Sequence, residues 1–181
     1  QLTSKGEVHL VDHSITTPFA SVVKFEPTIV KEDLTDLNRK AFEAMLDQQY
    51  AANNAINAIR LTGEFSYVKT RTVPAQQRPY PPMVEVVKHQ PIREMEHISG
   101  VMIGFKLPDY MTGINVPGYH FHFLSDDRKH GGHVSDFILS QGKFELEVFK
   151  DFHLRMPASH EFDQADLHPD DLKAAIHVTE S

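Results

Sequence analysis

The sequence contains no cysteine, which excludes disulfide bonds and thiolate metal ligands from all of its 181 residues. It also has no apolar run approaching about 18 residues, the length that a membrane-spanning helix needs. Its net charge is -7 and no basic patch or arm stands out, which argues against nucleic acid as a partner. With 40% hydrophobic residues, the chain can build the core of one domain, or of one domain with two halves.

The first residue is Gln1 rather than methionine, and no apolar stretch has the character of a signal peptide. We therefore expect that something was removed upstream: a signal peptide, a longer N-terminal region or a remnant of expression. The lack of cysteine does not determine the compartment. We expect a cytoplasmic protein, with secretion as the alternative.

Alternation of polar and apolar residues predicts many strands, whereas helical periodicity is concentrated early in the chain. The predicted strands are residues 6–12, 18–25, 64–73, 98–108, 133–140 and 142–157. The predicted helices are residues 31–50, 53–61 and 168–178. This order favours an α+β (mixed α/β) fold with few helices and a mainly antiparallel sheet. The proline-rich residues 73–83 predict a long loop, which would separate two halves at roughly 1–75 and 76–181.

Four histidines lie within "GYHFHFLSDDRKHGGH", residues 118–133. Because side chains alternate along a strand, His120 and His122 point to one face, with their Cα atoms about 7 Å apart. The turn that follows can bring His133, at the start of the next strand, beside them as a third ligand. His130 lies in the charged turn, and we interpret it as a solvated residue. The pattern predicts a metal site on a strand hairpin of the C-terminal half; the alternative is a polar strand face with chance spacing.

Three imidazoles with an open fourth position are typical of a catalytic zinc site. Imidazole also binds iron, nickel, copper and cobalt, so the residues define the site better than its metal. A bound dication would favour an anionic or chelating oxygen substrate. Arg71 is the candidate clamp for a carboxylate because it lies among aromatic residues on one strand face. The alternative is an exposed arginine at a strand end.

Three stretches resemble the bacterial alpha-acetolactate decarboxylase family: "TPFASVVKF" (17–25), "TGEFSYVKTRTVPAQQRPYPPM" (62–83) and "GYHFHFLSDDRKHGGHVSDF" (118–137). The resemblance extends across essentially the whole chain. It implies a zinc-dependent carbon–carbon lyase that converts (S)-alpha-acetolactate, a 2-hydroxy-3-keto acid, to (R)-acetoin and carbon dioxide. It also implies a homodimer and a two-part α/β fold with a sheet in each half.

The resemblance also assigns residues. It implies metal ligands at His120, His122 and His133, with zinc as the cofactor and another divalent transition metal as the alternative. The active-site arginine of the family corresponds to Arg71 in "KTRTVP". A glutamate near the C-terminus reaches the metal site in the family, and Glu180 in "HVTES" is the candidate here.

The chain departs from the family at its N-terminal end. Family members carry further residues before the position of Gln1, including a "DGE"-like segment whose glutamate also lies at the active site. Nothing in the sequence matches that segment, and Glu7 in "KGEV" belongs to a different predicted strand. We therefore expect residues 1–181 to form a single acetolactate-decarboxylase-like domain without its N-terminal segment. A sheet edge in its first half should then be exposed or covered by another molecule.

Two other functions remain open. A cupin-like dioxygenase or isomerase would also carry an HxH motif on a strand, although a cupin usually adds a glutamate a few residues later, where this chain has "FLSDD". A zinc-binding remnant without activity would be consistent with the missing upstream glutamate. A structural zinc site has a fourth protein ligand, whereas a catalytic site keeps water in that position.

Overall fold

The computed structural model describes residues 9–13, 20–73, 76–77, 85–86, 90–158 and 160–164. Within these ranges the strands are β1 Ile29–Asn38, β2 Ile56–Arg71, β3 Ile92–Leu107, β4 Gly118–Ser125 and β5 Gly131–Phe149. The helices are α1 Arg39–Gln49, a single turn α2 at His160–Asp163 and a 3-10 turn at Asp109–Met111. None of the helices in the described ranges has the length and apolarity needed to cross a membrane.

The strands form one antiparallel sheet in the order β1-β5-β2-β3-β4. The first residues of β5 also pair with β4, in addition to their pairing with β2. The strands β5, β2, β3 and β4 therefore close into a ring at this end of the sheet. The histidine-rich segment occupies the point of closure, where three strands lie side by side.

Helix α1 packs on the sheet through two fully buried side chains one turn apart, Phe42 and Leu46. The helix begins after Asn38, whose side-chain oxygen accepts a hydrogen bond from the backbone N–H of Ala41 at 2.8 Å, a typical N-terminal cap. The ring centroid of Phe42 lies 5.8 Å from that of Phe137 and 6.0 Å from that of Phe144. Both partners belong to β5, so the core fixes the start of the helix relative to that strand.

The predicted antiparallel sheet with few helices is confirmed, but the predicted helix over residues 31–50 is wrong in its first part, which belongs to β1. Asp33 and Asp36 have φ values of 56° and 50°, and the register against β5 shifts in this stretch. Such irregularities interrupt the alternation of a strand. Leu34, which is buried, and Leu37, which is half-buried, are therefore three residues apart, as they would be in a helix.

The predicted short helix over residues 53–61 is also wrong, because β2 begins at Ile56. This strand is central in the sheet and pairs with both β3 and β5. Its consecutive residues Asn57, Ala58 and Ile59 are all buried. A strand buried on both faces shows no alternation of polar and apolar residues, and its pattern cannot be told from that of a buried helix.

The predicted strands at residues 6–12 and 18–25 are not found where the structure describes them, at 9–12 and 20–25. Leu10 in the first stretch is fully exposed, and Val22 in the second is 87% exposed. Alternation alone does not form a strand when the apolar side chains have no surface to pack against.

Residues 133–140 and the following stretch, predicted as two strands joined at Gln141-Gly142, form the single strand β5, which ends at Phe149. Gly142 lies inside the strand opposite Gly63 of β2. A Cβ atom on Gly142 would lie 2.4 Å from the carbonyl oxygen of Thr62. The glycine permits a close approach of two backbones and does not mark a turn.

The division into two halves at residue 75 stays a prediction, and the described strands all belong to one sheet. The predicted loop over 73–83 lies mostly outside the described residues, and the predicted helix over 168–178 lies wholly outside them. The predicted strands at 64–73 and 98–108 are confirmed as parts of β2 and β3, with bounds that differ by a few residues.

Gly132 lies where β5 approaches β2 at the closure of the ring. Its φ is 153°, and a Cβ atom there would lie 2.9 Å from both the carbonyl oxygen of Arg71 and the Cβ atom of Thr70. A side chain at this position would have to push β2 away from β5, directly beside His133.

We predict that Gly132→Ala lowers the free energy of unfolding by about 1–3 kcal/mol more than Gly113→Ala does, because only the first substitution creates a steric overlap. Gly113 is the matched control, since its φ is also positive, at 89°, but a Cβ atom there would have nothing within 4 Å. Urea unfolding of both variants measures the difference. Equal losses for the two variants would show that the close approach at Gly132 contributes nothing.

Candidate metal centre

The hairpin formed by β4 and β5 carries the three histidines predicted as ligands. His120 and His122 lie two residues apart on β4, and the ladder between the strands pairs His122 with His133 of β5. The aromatic residues that alternate with them point to the core, where Phe121 is 1% exposed and Phe123 is 3% exposed. Strand alternation and the return of the chain through the turn therefore bring the three imidazoles to one place, as predicted.

The turn between the strands is held by the buried hydroxyl of Ser125. This hydroxyl donates to Asp127 Oδ1 at 2.6 Å and accepts from the backbone N–H of His130 at 3.0 Å. The backbone N–H of Lys129 also donates to Asp127 Oδ1, at 3.0 Å. Nδ1 of His130 lies 3.1 Å from Nη1 of Arg93, and His130 is not part of the histidine cluster. These bonds fix the length of the turn and hence the register that places His133 opposite His122.

The three imidazole rings converge, with one nitrogen of each ring within 4.8 Å of the others. His120 Nε2 lies 3.1 Å from His122 Nε2 and 3.1 Å from His133 Nδ1. The rings of His120 and His122 are stacked, and the ring of His133 stands at 82° to the first and 90° to the second. Two ligands at about 2.0–2.1 Å from one tetrahedral zinc ion lie about 3.3 Å apart, which is close to the separations found here.

Arg71 lies on the other side of His133. The ladder between β2 and β5 pairs these two residues, and Nη2 of Arg71 lies 3.0 Å from His133 Nε2. Arg71 is 6% exposed, so it is not the exposed strand-end arginine that was the alternative. The row Arg71, His133, His122 therefore crosses three adjacent strands, β2, β5 and β4.

The surroundings of the cluster keep the imidazoles neutral. Burial, followed by the charges of His122 and Arg71, lowers the pKa of His120 to about 4. Burial and Arg71 lower the pKa of His133 to about 2, and the same two causes lower the pKa of His122. Neutral imidazole is the form that offers a lone pair to a metal ion. The chemistry and spacing of these three side chains therefore fit a divalent transition metal.

The structure also brings one residue to the hairpin that the sequence did not indicate. Nη1 of Arg39, the first residue of α1, donates to the carbonyl oxygen of Ser135 at 2.7 Å, two residues after His133. Since the predicted helix placed Arg39 at mid-length, only the packing of α1 on β5 reveals this contact. Glu180, the predicted glutamate of the site, lies outside the described residues, as does Glu7.

An antiparallel sheet whose closing hairpin presents three convergent neutral imidazoles beside a buried arginine has the features of a metalloenzyme centre. Residues 1–169 match the family model of alpha-acetolactate decarboxylase. The alpha-acetolactate decarboxylase of Methylococcus capsulatus is 38% identical over 181 residues, which cover 100% of this chain and 69% of that protein. The enzyme of the same name from Bacillus licheniformis is 39% identical over 180 residues, which cover 99% of this chain and 71% of that protein.

A solved structure agrees with the sequence relatives. The crystal structure of alpha-acetolactate decarboxylase from Bacillus subtilis strain 168 matches with a TM-score of 0.96 at 36% identity, covering 100% of this chain and 77% of that chain. The chain belongs to the alpha-acetolactate decarboxylase family, and it is a carboxy-lyase. The expectation drawn from the family resemblance is thereby confirmed at the level of family and enzyme class, and the cupin-like alternative loses its support.

We predict that the imidazoles of His120 and His133 in the metal-depleted protein stay neutral far below the usual titration range, because burial and Arg71 lower both pKa values. The signals of His120 should shift with a midpoint at about pH 4, as followed by NMR of the imidazole ring. In urea the same residues should titrate at about pH 6.5.

The folded state then binds fewer protons than the unfolded chain between these two values. The neutral form of His120 therefore contributes fully to the free energy of unfolding above pH 6.5. This contribution is lost progressively as the pH falls toward 4. A midpoint for folded His120 that coincides with the midpoint in urea would contradict the description of the cluster.

Proposed function

We propose that this chain decarboxylates (S)-alpha-acetolactate to (R)-acetoin and carbon dioxide at the β4–β5 hairpin. The observation that carries the proposal is the convergence of one nitrogen from each of His120, His122 and His133 within 4.8 Å, next to the buried guanidinium of Arg71. Membership of the alpha-acetolactate decarboxylase family supports this substrate.

His120, His122 and His133 are the proposed ligands of a zinc ion, with another divalent transition metal as the alternative. When bound, the ion supplies Lewis-acid stabilisation of the negative charge that develops as carbon dioxide leaves. All three ligands would be neutral imidazoles, so the full double charge of the ion would be available to an anionic substrate.

Arg71 is proposed to orient the substrate through its carboxylate. Arg71 as a whole is 6% exposed, and the β2–β5 ladder positions it one strand away from the nearest proposed ligand, His133. Arginine binds carboxylates with paired, charge-assisted hydrogen bonds, which fix direction as well as distance. Its positive charge also contributes to the low pKa of His120, His122 and His133, so an anion at this position would enter a positive environment.

The reaction requires a proton for the carbon atom that loses the carboxylate. The bond to the carboxylate carbon breaks, its electron pair moves into an enediolate, and protonation of the carbon atom gives the hydroxyketone. Glu180 is the proposed donor, and a glutamate upstream of Gln1 is the alternative. Delivery of the proton to one face of the planar enediolate would set the handedness of the product.

We further propose that the protein acts as a homodimer in the cytoplasm. The chain spans 69% and 71% of the length of the first two relatives named above, and residues 1–181 are proposed to form a single acetolactate-decarboxylase-like domain.

We predict that His120→Ala and His133→Ala each remove bound metal and decarboxylase activity together, because two imidazoles cannot hold the ion at an affinity that survives purification. Elemental analysis of the purified variants, paired with an acetoin assay on racemic alpha-acetolactate, measures both properties. His153→Ala is the matched control, since His153 is exposed and lies outside the histidine cluster. Wild-type metal content in either ligand variant would disprove the assignment, and metal without turnover in the wild-type chain would favour the inactive zinc-binding remnant.

Arg71→Ala should keep the metal and lose most of the turnover, by about 100-fold or more in kcat/KM, since the carboxylate would no longer be oriented. Metal content and steady-state kinetics with alpha-acetolactate separate these two effects. Arg60→Ala is the control, because Arg60 lies on the same strand but pairs with Glu145, at 2.6 Å. Near-normal kinetics in Arg71→Ala would rule out the proposed role.

A further inference from the structure

Arg39 lies between the two strands that carry the histidine cluster. Its Nη1 donates to the carbonyl oxygens of Ser135 at 2.7 Å and Val134 at 3.3 Å, both on β5. Its Nη2 donates to the carbonyl oxygen of Tyr119 on β4, at 3.5 Å. One guanidinium group therefore bridges the backbone on both sides of the hairpin.

The guanidinium of Arg39 lies where β4 and β5 are no longer joined by ladder hydrogen bonds. The β4–β5 register consists of the three pairs His122–His133, Phe123–Gly132 and Leu124–Gly131, and it does not continue toward the open end of the hairpin. At that end the ladder of the described strands pairs His120 with Phe105 of β3. The β2–β5 register shifts between residues 69 and 70 and passes over Ser135, whose carbonyl oxygen accepts from Arg39 instead. A backbone carbonyl at such a break in the ladder needs another donor.

We propose that Arg39 is a positioning residue that sets the separation of His120 from His133. The ladder fixes His122 against His133, but no β4–β5 pair includes His120. Arg39 bonds to the carbonyl immediately before His120 and to the two carbonyls that follow His133. It thereby substitutes for the missing ladder bonds and joins the strand of the first ligand to the strand of the third. The inference rests on the proposed metal centre and adds a residue to it.

The guanidinium is itself held in place from the helix. Nε of Arg39 donates to Glu43 Oε1 at 2.7 Å, one turn later, and both side chains are about one-quarter exposed. Phe42, between them in sequence, is fully buried against β5. A cation in the first turn of a helix is unfavourable with respect to the helix dipole, whose positive end lies there. The ion pair with Glu43 and the contacts to β4 and β5 offset this cost for Arg39.

The charge of Arg39 and its bonds act on metal affinity in opposite directions. A positive charge near the cluster repels a second cation, so loss of the charge alone would tighten metal binding. Loss of the bridge would let the hairpin open at His120 and would weaken binding. Groups that orient metal ligands typically change affinity by about 10–100-fold when they are removed. The sign of the change therefore distinguishes a positioning role from a purely electrostatic one.

The test is a titration of metal-depleted protein with Co²⁺ and Zn²⁺, followed by the visible absorption of cobalt and by competition with a chelator. We expect Arg39→Met to weaken binding of both ions by about 10–100-fold. Arg39→Lys should also weaken it, because lysine keeps the charge but lacks the planar fork that reaches both strands. Arg60→Met is the matched control, since it removes an arginine that is ion-paired to Glu145 on the same sheet, and it should leave metal affinity unchanged.

Unchanged or tighter binding in Arg39→Met would overturn the positioning role. If Arg39→Met does not fold, Arg39→Lys decides, and wild-type affinity in that variant would contradict the inference. If the wild-type protein bound neither ion, or bound them no more tightly than His120→Ala does, the result would instead contradict the proposed metal centre. The two failures are therefore distinguishable.

Discussion

The pairing of His122 with His133 is the contact on which the candidate centre depends. This pair joins β4 to β5 and closes the ring of β5, β2, β3 and β4. On its other side His133 is paired with Arg71. One row across three strands therefore contains two proposed metal ligands and the proposed carboxylate clamp, and it needs no loop to bring them together. Side chains on a hydrogen-bonded ladder are held more precisely than side chains on loops, which suits a site that must fix both a metal and a substrate.

The same row explains the local glycine and the electrostatics. Gly132, next to His133, allows β5 to come close to the backbone of β2 at Arg71 and Thr70. That approach places the guanidinium within hydrogen-bonding distance of the imidazole. The buried positive charge then disfavours protonation of the histidines, which is one cause of their low pKa values. Arg71 would otherwise compete with a metal ion, but its charge keeps the three histidines in the neutral form that binds metal. Arg71 and a bound metal ion would together make a site for an anion.

Local rules were sufficient to predict the histidine cluster. Alternation placed His120 and His122 on one face with Phe121 and Phe123 in the core, and the short turn brought back His133. Arg71 could be selected as a candidate, but its ladder partner could not, because the register of β2 against β5 depends on pairings between distant parts of the chain.

The sequence predictions were wrong where the strands are irregular or fully buried. The positive φ values of Asp33 and Asp36 changed the spacing of apolar residues in β1, and burial on both faces removed alternation from the start of β2. Arg39 could not be found from sequence, since its contacts with Val134 and Ser135 span 95 and 96 residues. Glu180 lies outside the described residues, so its role stays a prediction.

The first coordination shell of the metal tests the central claim most directly. X-ray absorption spectroscopy of the zinc-loaded protein reports the number and type of its ligands. We expect three imidazole nitrogens at about 2.0–2.1 Å together with oxygen from water, as in an open catalytic site. Fewer than three imidazoles would contradict the ligand assignment, and a closed shell of four protein ligands would contradict a catalytic role for the site.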